Sequence, residues 1–182
     1  MRMRPHCNTT ARSIAHLRSS PALTQRMTVQ EPAPTNQQDR AGDQATLERN
    51  KEVARQLIAR IFVRQEDAAI DELVATDFVP HTFGPMPPGR EGLREGMKRA
   101  GAGLSDPRFQ IQDVIAEGDR VAVRVTVSAR HTGTFMSLEP TGNQYSIDEI
   151  HIFRIRDGQL VEHWHQFDKM TLMQQLRGSS VA

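Results

Sequence analysis

The sequence predicts an α+β domain in which helices come first and an antiparallel sheet follows. Three observations carry that expectation. Apolar residues recur at helical spacing up to about Leu104, they alternate at a spacing of two after Pro107, and Asp157-Gly158 joins the last two alternating segments as a two-residue turn.

Thr46 is placed to cap a helix running to about Val63, with Ala54, Leu57, Ile58, Ile61 and Phe62 along one face. Ile70, Leu73 and Val74 mark a shorter second helix ending near Thr76. The run Phe78-Val79-Pro80-His81-Thr82-Phe83, followed by Gly84-Pro85-Met86-Pro87-Pro88-Gly89, excludes helix through its prolines and reads as a shaped loop. A third helix starts near Arg90, with Leu93, Met97, Ala100 and Leu104 as its apolar stripe. Phe109, Ile111, Val114 and Ile115 form a first strand, closed by Glu117-Gly118-Asp119. Val121, Val123, Val125, Val127 and Ala129 then alternate with Ala122, Arg124, Thr126 and Ser128, the pattern of a half-buried strand. After a loop from His131 to Gly142, segments 144–156 and 160–167 make the closing hairpin, and 170–176 a short last helix.

At 182 residues the chain suits one domain with an appended segment. The expected division is a leader over 1–45, the domain over 46–178 and a tail over 179–182. From Met1 to Gln30 there is no acidic residue, while Arg2, Arg4, Arg12, Arg18 and Arg26 are spread among polar neighbours. Such a start suits an organelle transit peptide, a disordered tail, or an upstream start codon with Met27 as the alternative beginning. Lys and Arg total 23 against 22 for Asp and Glu, so charge gives no reason to expect nucleic acid or an anionic membrane as partner. No apolar run has the length to cross a bilayer. Cys7 stands alone, which excludes an internal disulfide and a cysteine zinc cluster and is compatible with the reducing cytoplasm, the expected location.

The Asp157-Gly158 turn fixes which side chains of the hairpin share a surface. In an unbroken ladder Ile155 faces Leu160, Phe153 faces Glu162, His151 faces Trp164, Glu149 faces Gln166 and Ile147 faces Asp168. One surface then holds the bulky Tyr145, Ile147, Phe153, Ile155, Leu160 and Trp164 together with Glu149, His151, Glu162, Gln166 and Asp168. Charged groups in an apolar surround are costly unless paired, hydrated or shifted in pKa, and a ligand pocket accommodates them. The opposite surface, with Ile150, Ile152, Val161 and Phe167, is apolar as well, so burial on both sides is the competing reading. A bulge between Glu162 and Asp168 would exchange the surfaces beyond it.

The segment from Ile150 to Asp168, continuing to Gln175-Leu176, resembles the closing hairpin of the SnoaL-like polyketide cyclases, within the nuclear-transport-factor-two-like superfamily. The resemblance extends over 55–178 through Phe78-Val79-Pro80-His81, Gly89-Arg90-Glu91-Gly92, His131-Thr132-Gly133 and Pro140-Thr141-Gly142. It implies a cone-shaped barrel of a curved, mainly antiparallel sheet wrapped around the N-terminal helices, assembled as a homodimer or homotetramer. It also implies intramolecular aldol condensation without metal or organic cofactor, with Asp168 aligned to the family's acid/base and His81 and His151 lining the pocket. Two positions depart from the family's pattern: Lys169, where relatives often have an acidic residue, and Thr82, where they often have Asn.

Aldol closure needs a base beside the carbonyl and a donor for the resulting enolate. Asp168 in an apolar mouth near Trp164 would have a raised pKa suited to that work, with His151 or His81 as donor or relay. Glu149, Phe153, Trp164, Gln166, Tyr145 and Phe83 are the expected substrate contacts. Each has a plainer alternative: Asp168 as a helix cap, His151 as a satisfied core histidine, His81 as an ordinary loop residue. His163 and His165 have the spacing of strand metal ligands but fall on the opposite surface without a third donor, so no metal is expected. The rival to a small-molecule enzyme is a non-catalytic binding or dimerisation module of the same fold.

Overall fold

A computed structural model describes residues 37–81 and 87–178, with side chains from Asp43 onward. The leader before residue 37, the tail after 178 and Phe83 lie outside the described residues. Helix α1 (Gln37–Gln56) runs directly into a π-helical segment (Leu57–Val63), followed by α2 (Asp67–Leu73), β1 (Val74–His81), α3 (Gly89–Gly103), β2 (Leu104–Glu117), β3 (Arg120–His131), β4 (Gln144–Arg156), β5 (Gln159–Phe167) and α4 (Lys169–Arg177). The first helix thus begins nine residues ahead of the expected cap at Thr46, inside the stretch read as leader.

The five strands form one open sheet in the order β1-β5-β4-β3-β2, antiparallel except for the β1–β5 pair. The α+β class stands. The stretch expected as a proline-shaped loop is in part β1, and Pro80 is tolerated there because β1 is an edge strand with one neighbour. The inner face is written in the alternation of β3 and β4: Val121, Val123, Val125 and Val127 face Phe153, His151, Glu149 and Ile147 across the ladder, all buried. Ala54, Leu57, Ile58 and Ile61 from the helices cover this face, and Leu172 and Leu176 of α4 join the same core.

The helical widening at 57–63 packs against that inner face. π-Helical turns insert about one extra residue per turn and recur beside functional sites. Here the segment turns Ile61 fully into the core and leaves Phe62 half-buried, its ring 6.2 Å from that of Phe109 and 6.4 Å from that of Phe153.

The hairpin departs from the unbroken ladder at one residue. Arg156 pairs with Gln159 and Ile155 with Leu160, as the Asp157-Gly158 turn requires, but Arg154 then pairs with Glu162. Val161 is the extra residue, so every side chain beyond it changes surface. Two forces favour this. An unbroken ladder would press the Glu162 carboxylate onto Phe153; with the bulge it turns outward and accepts from Arg154 Nη1 at 2.6 Å. The neighbouring strand β1 also breaks step here, with Val74 against Leu160 but Val79 against Glu162.

A close backbone approach locks the loop after β3. The N–H groups of Thr132 and Gly133 both donate to Gly103 O at 3.0 Å, and a Cβ on Gly133 would lie 2.0 Å from Ala102 O. Gly133→Ala is expected to cost about 1–3 kcal/mol, the range for overpacking against backbone that cannot yield. A chemical-denaturation midpoint equal to wild type would refute that. No described helix is long and apolar enough to cross a membrane.

Candidate active site

The bulge gathers four titratable groups on the inner face of β4 and β5. Alternation in β4 points Glu149, His151 and Phe153 inward, and the shifted register sets His165 opposite His151 and His163 opposite Phe153. Glu149 Oε2 accepts a hydrogen bond from His165 Nε2 at 3.0 Å and lies 3.3 Å from His151 Nε2. On its other side, His151 Nδ1 shares a 3.0 Å hydrogen bond with His163 Nε2. The imidazoles of His151 and His165 stack at 4.4 Å between centroids, and those of His151 and His163 at 5.2 Å.

Aromatic rings enclose the group. Phe153 lies 4.9 Å from His163 and 5.6 Å from His151, Phe167 lies 5.1 Å from His165, and Phe62 covers His151 and His163 at 5.7 and 5.9 Å. His151 is 3 % exposed and Glu149 9 %, while His165 keeps a partly open edge.

Burial sets the electrostatics. It is the largest influence on His163 and on His151 and holds both imidazoles below the usual histidine range, hence neutral at pH 7. For Glu149 burial is again the largest single influence and pushes upward, but the adjoining His151 and His165 imidazoles together outweigh it, and the carboxyl stays ionised. Tyr145, four residues along the same face, is held above the usual phenol range by burial and then by the Glu149 charge.

Several expected site residues stand elsewhere. Asp168 is exposed and caps α4: Thr171 N donates to Oδ1 at 2.9 Å and Thr171 Oγ1 to Oδ2 at 2.7 Å. These bonds, backbone first, lower its pKa, the reverse of the rise expected for an apolar mouth. Trp164 and Gln166 lie on the outer surface because of the bulge, not on the inner one. The Trp164 indole stacks on the His81 ring at 4.6 Å, with the Arg120 guanidinium 5.9 Å from its centre. His81 bonds Glu162 at 2.9 Å on that outer surface and does not converge with His151. Glu149, His151, Phe153 and Tyr145 do face inward as expected.

Sequence reasoning set His163 and His165 on the opposite surface, weighing them only as metal ligands, and gave Phe62 to the helix face without a place in the site. The missed signal was the charge of Glu162: a carboxylate written opposite a fully buried phenylalanine argues for a shift of register just before it.

Two of the hollows on the surface of the described residues stand out, and neither is lined by this cluster. One of about 580 Å³ is bordered by Asp106, Arg108, Arg130, Gln144, Tyr145 and Gln175; one of about 280 Å³ sits over Ile61, Ile70, Arg94 and Met97. The larger is edged mainly by polar side chains that already meet water. The cluster, by contrast, holds titratable groups out of water at fixed distances, which makes it the candidate site.

The model of the SnoaL-like polyketide cyclase family matches residues 52–176. Among solved structures, IdmH from Streptomyces antibioticus, which carries a polyketide cyclase assignment, is 31 % identical over 70 % of this chain and 98 % of its own, with a TM-score of 0.62. TsrD from Streptomyces laurentii is 27 % identical over 76 % of this chain and 98 % of its own, also with a TM-score of 0.62. AclR from Streptomyces galilaeus, which carries a hydroxylase assignment, is 26 % identical over 75 % of this chain and 85 % of its own, with a TM-score of 0.64. A comparison with curated proteins finds no match.

Proposed function

Because this chain belongs to the SnoaL-like polyketide cyclase family, we propose that it catalyses proton transfer beside the carbonyl of a largely apolar small molecule, leading to aldol-type ring closure, with His165 and Glu149 as the working pair. The observation that carries the proposal is the 3.0 Å bond between His165 Nε2 and Glu149 Oε2 inside an aromatic enclosure.

An ionised carboxylate only accepts hydrogen bonds, so His165 carries a proton on Nε2, and the neutral ring, the form that acts as base, has its lone pair on Nδ1. That nitrogen takes the proton from the carbon next to the carbonyl. The imidazolium so formed is balanced by the Glu149 charge, and the same proton returns to the alkoxide created by ring closure. Glu149 is thereby the orienting and charge-balancing group rather than the base, since a carboxylate held well ionised takes protons poorly. The phenylalanine rings suit an apolar substrate and keep water from competing. Asp168, in this reading, builds α4 and does not touch the reaction.

The test is exchange of carbonyl-adjacent hydrogens for deuterium, followed by NMR over a panel of aromatic and polyketide-like ketones. Exchange above the buffer rate for at least one compound, lost in His165→Gln, is the expected result. Exchange that persists in His165→Gln overturns the assignment. The position of both hollows away from the cluster favours a second reading, a binding module without turnover; ketone binding with no exchange by any compound would select it.

A further inference from the structure

The cluster has a geometric property that proton transfer does not use. Glu149, His151 and His165 each bring one donor atom within 4.8 Å of the others. Glu149 Oε2 stands 3.0 Å from His165 Nε2 and 3.3 Å from His151 Nε2. An ion about 2.1 Å from two donors separates them by about 3.0 Å at a right angle and about 3.4 Å at a tetrahedral one, so these two spacings suit a shared cation once the partly exposed His165 ring, now stacked 8° from parallel with that of His151, turns its edge toward it.

His151 supplies the second observation. Its Nε2 is buried and has no hydrogen-bond partner among the described residues, the carboxylate oxygen of Glu149 standing 3.3 Å away. An orphaned buried polar atom ordinarily costs about 1–3 kcal/mol, and a cation at this point would remove that cost. The far side of the ring is already arranged for ligation. With Nε2 on a metal, Nδ1 must carry the proton, and His163 Nε2 lies 3.0 Å away to accept it. A neighbour that fixes ring orientation and tautomer in this way is the usual support of a metal-bound histidine.

We propose that Glu149, His151 and His165 form a binding site for one divalent first-row transition-metal ion, supported by His163, and that occupation of this site shuts off proton transfer. Two imidazoles and one carboxylate are a donor set for Fe(II), Co(II) or Zn(II), whereas Mg²⁺ and Ca²⁺ prefer oxygen alone. The partly open edge of His165 gives the ion a way in. The inhibitory half rests on the proposed role of His165 as base. A cation on His165 Nε2 moves the ring proton to Nδ1 and so removes the lone pair that would act as base.

The test is a titration of the chelator-treated full chain with Co(II), read by its visible ligand-field absorption, with Zn(II) and Mg²⁺ as competitors. The expected result is saturation at one equivalent, displacement by Zn(II) and none by excess Mg²⁺. Glu149→Gln and His165→Gln should each weaken binding at least about tenfold, and His163→Leu about 10–100-fold as the supporting group. His165 is partly exposed, so its variant should keep a wild-type circular dichroism spectrum and separate lost ligation from lost fold. Absence of saturable absorption overturns the site. So does a cobalt spectrum that survives both first variants, which would locate the ion on other donors such as His6 or Cys7. Cobalt binding that leaves ketone exchange untouched supports the site and refutes the His165 mechanism, so the two ideas fail separately.

Discussion

Glu149→Gln is expected to lower turnover of the responsive ketone by about 10²–10⁴-fold, the usual contribution of positioned acid/base catalysis, while leaving the fold in place. The amide is isosteric with the carboxylate and can still meet His165 Nε2. It no longer insists on accepting, however, because its own NH₂ group can donate, and His165 is then free to place its proton on Nδ1. It also carries no charge to balance the imidazolium. Both losses act on the transition state more than on ground-state binding, so kcat should fall with little change in KM. The companion variant is Asp168→Asn. Asparagine caps helices about as well as aspartate, so α4 keeps its start and activity should stay near wild type. The opposite pattern, with Asp168→Asn inactive and Glu149→Gln active, would return the role to the residue that the family resemblance implies.

Much of this site is legible in the sequence, and what is not has one cause. The Asp157-Gly158 turn, the alternation of Gln144–Arg156 and the inward placement of Tyr145, Glu149, His151 and Phe153 all follow from short-range rules, and the structure keeps them. A turn specifies pairing only until the ladder is interrupted. Val161 interrupts it after two pairs, one residue ahead of the interval in which the sequence allows a bulge, and all of Glu162 to Phe167 changes surface. The forces behind the bulge are long-range: Arg154 and His81 wait outside for the Glu162 carboxylate, and β1 pairs irregularly alongside. With β1 read as a proline loop, that half of the balance is out of sight. Asp168 illustrates a different limit. Its sequence setting admits both cap and catalyst, with the family resemblance on the side of the catalyst, and only the two bonds from Thr171 decide where its oxygens are engaged.

The same enclosure predicts the largest loss of stability. Phe153→Ala should destabilise the protein by about 3–5 kcal/mol, a large part of the roughly 5–15 kcal/mol that holds a typical domain together. Phe153 is completely buried at the meeting point of sheet, π-helical segment and histidine cluster. Its ring packs at 6.4 Å from Phe62, 5.6 Å from His151 and 4.9 Å from His163, so truncation removes contacts on three sides at once. The void cannot close by a simple slide, because Val121, its partner on β3, is too short to reach across and is itself fixed in the ladder. Water entering the void would hydrate His151 and His163 and weaken the enclosure that keeps them neutral. Phe153→Leu retains most of the volume and should cost markedly less, which separates filling of the site from any special need for an aromatic ring. Urea denaturation of the two variants against wild type measures both quantities. Equal, small losses would mean that the histidine cluster does not depend on this ring for its packing.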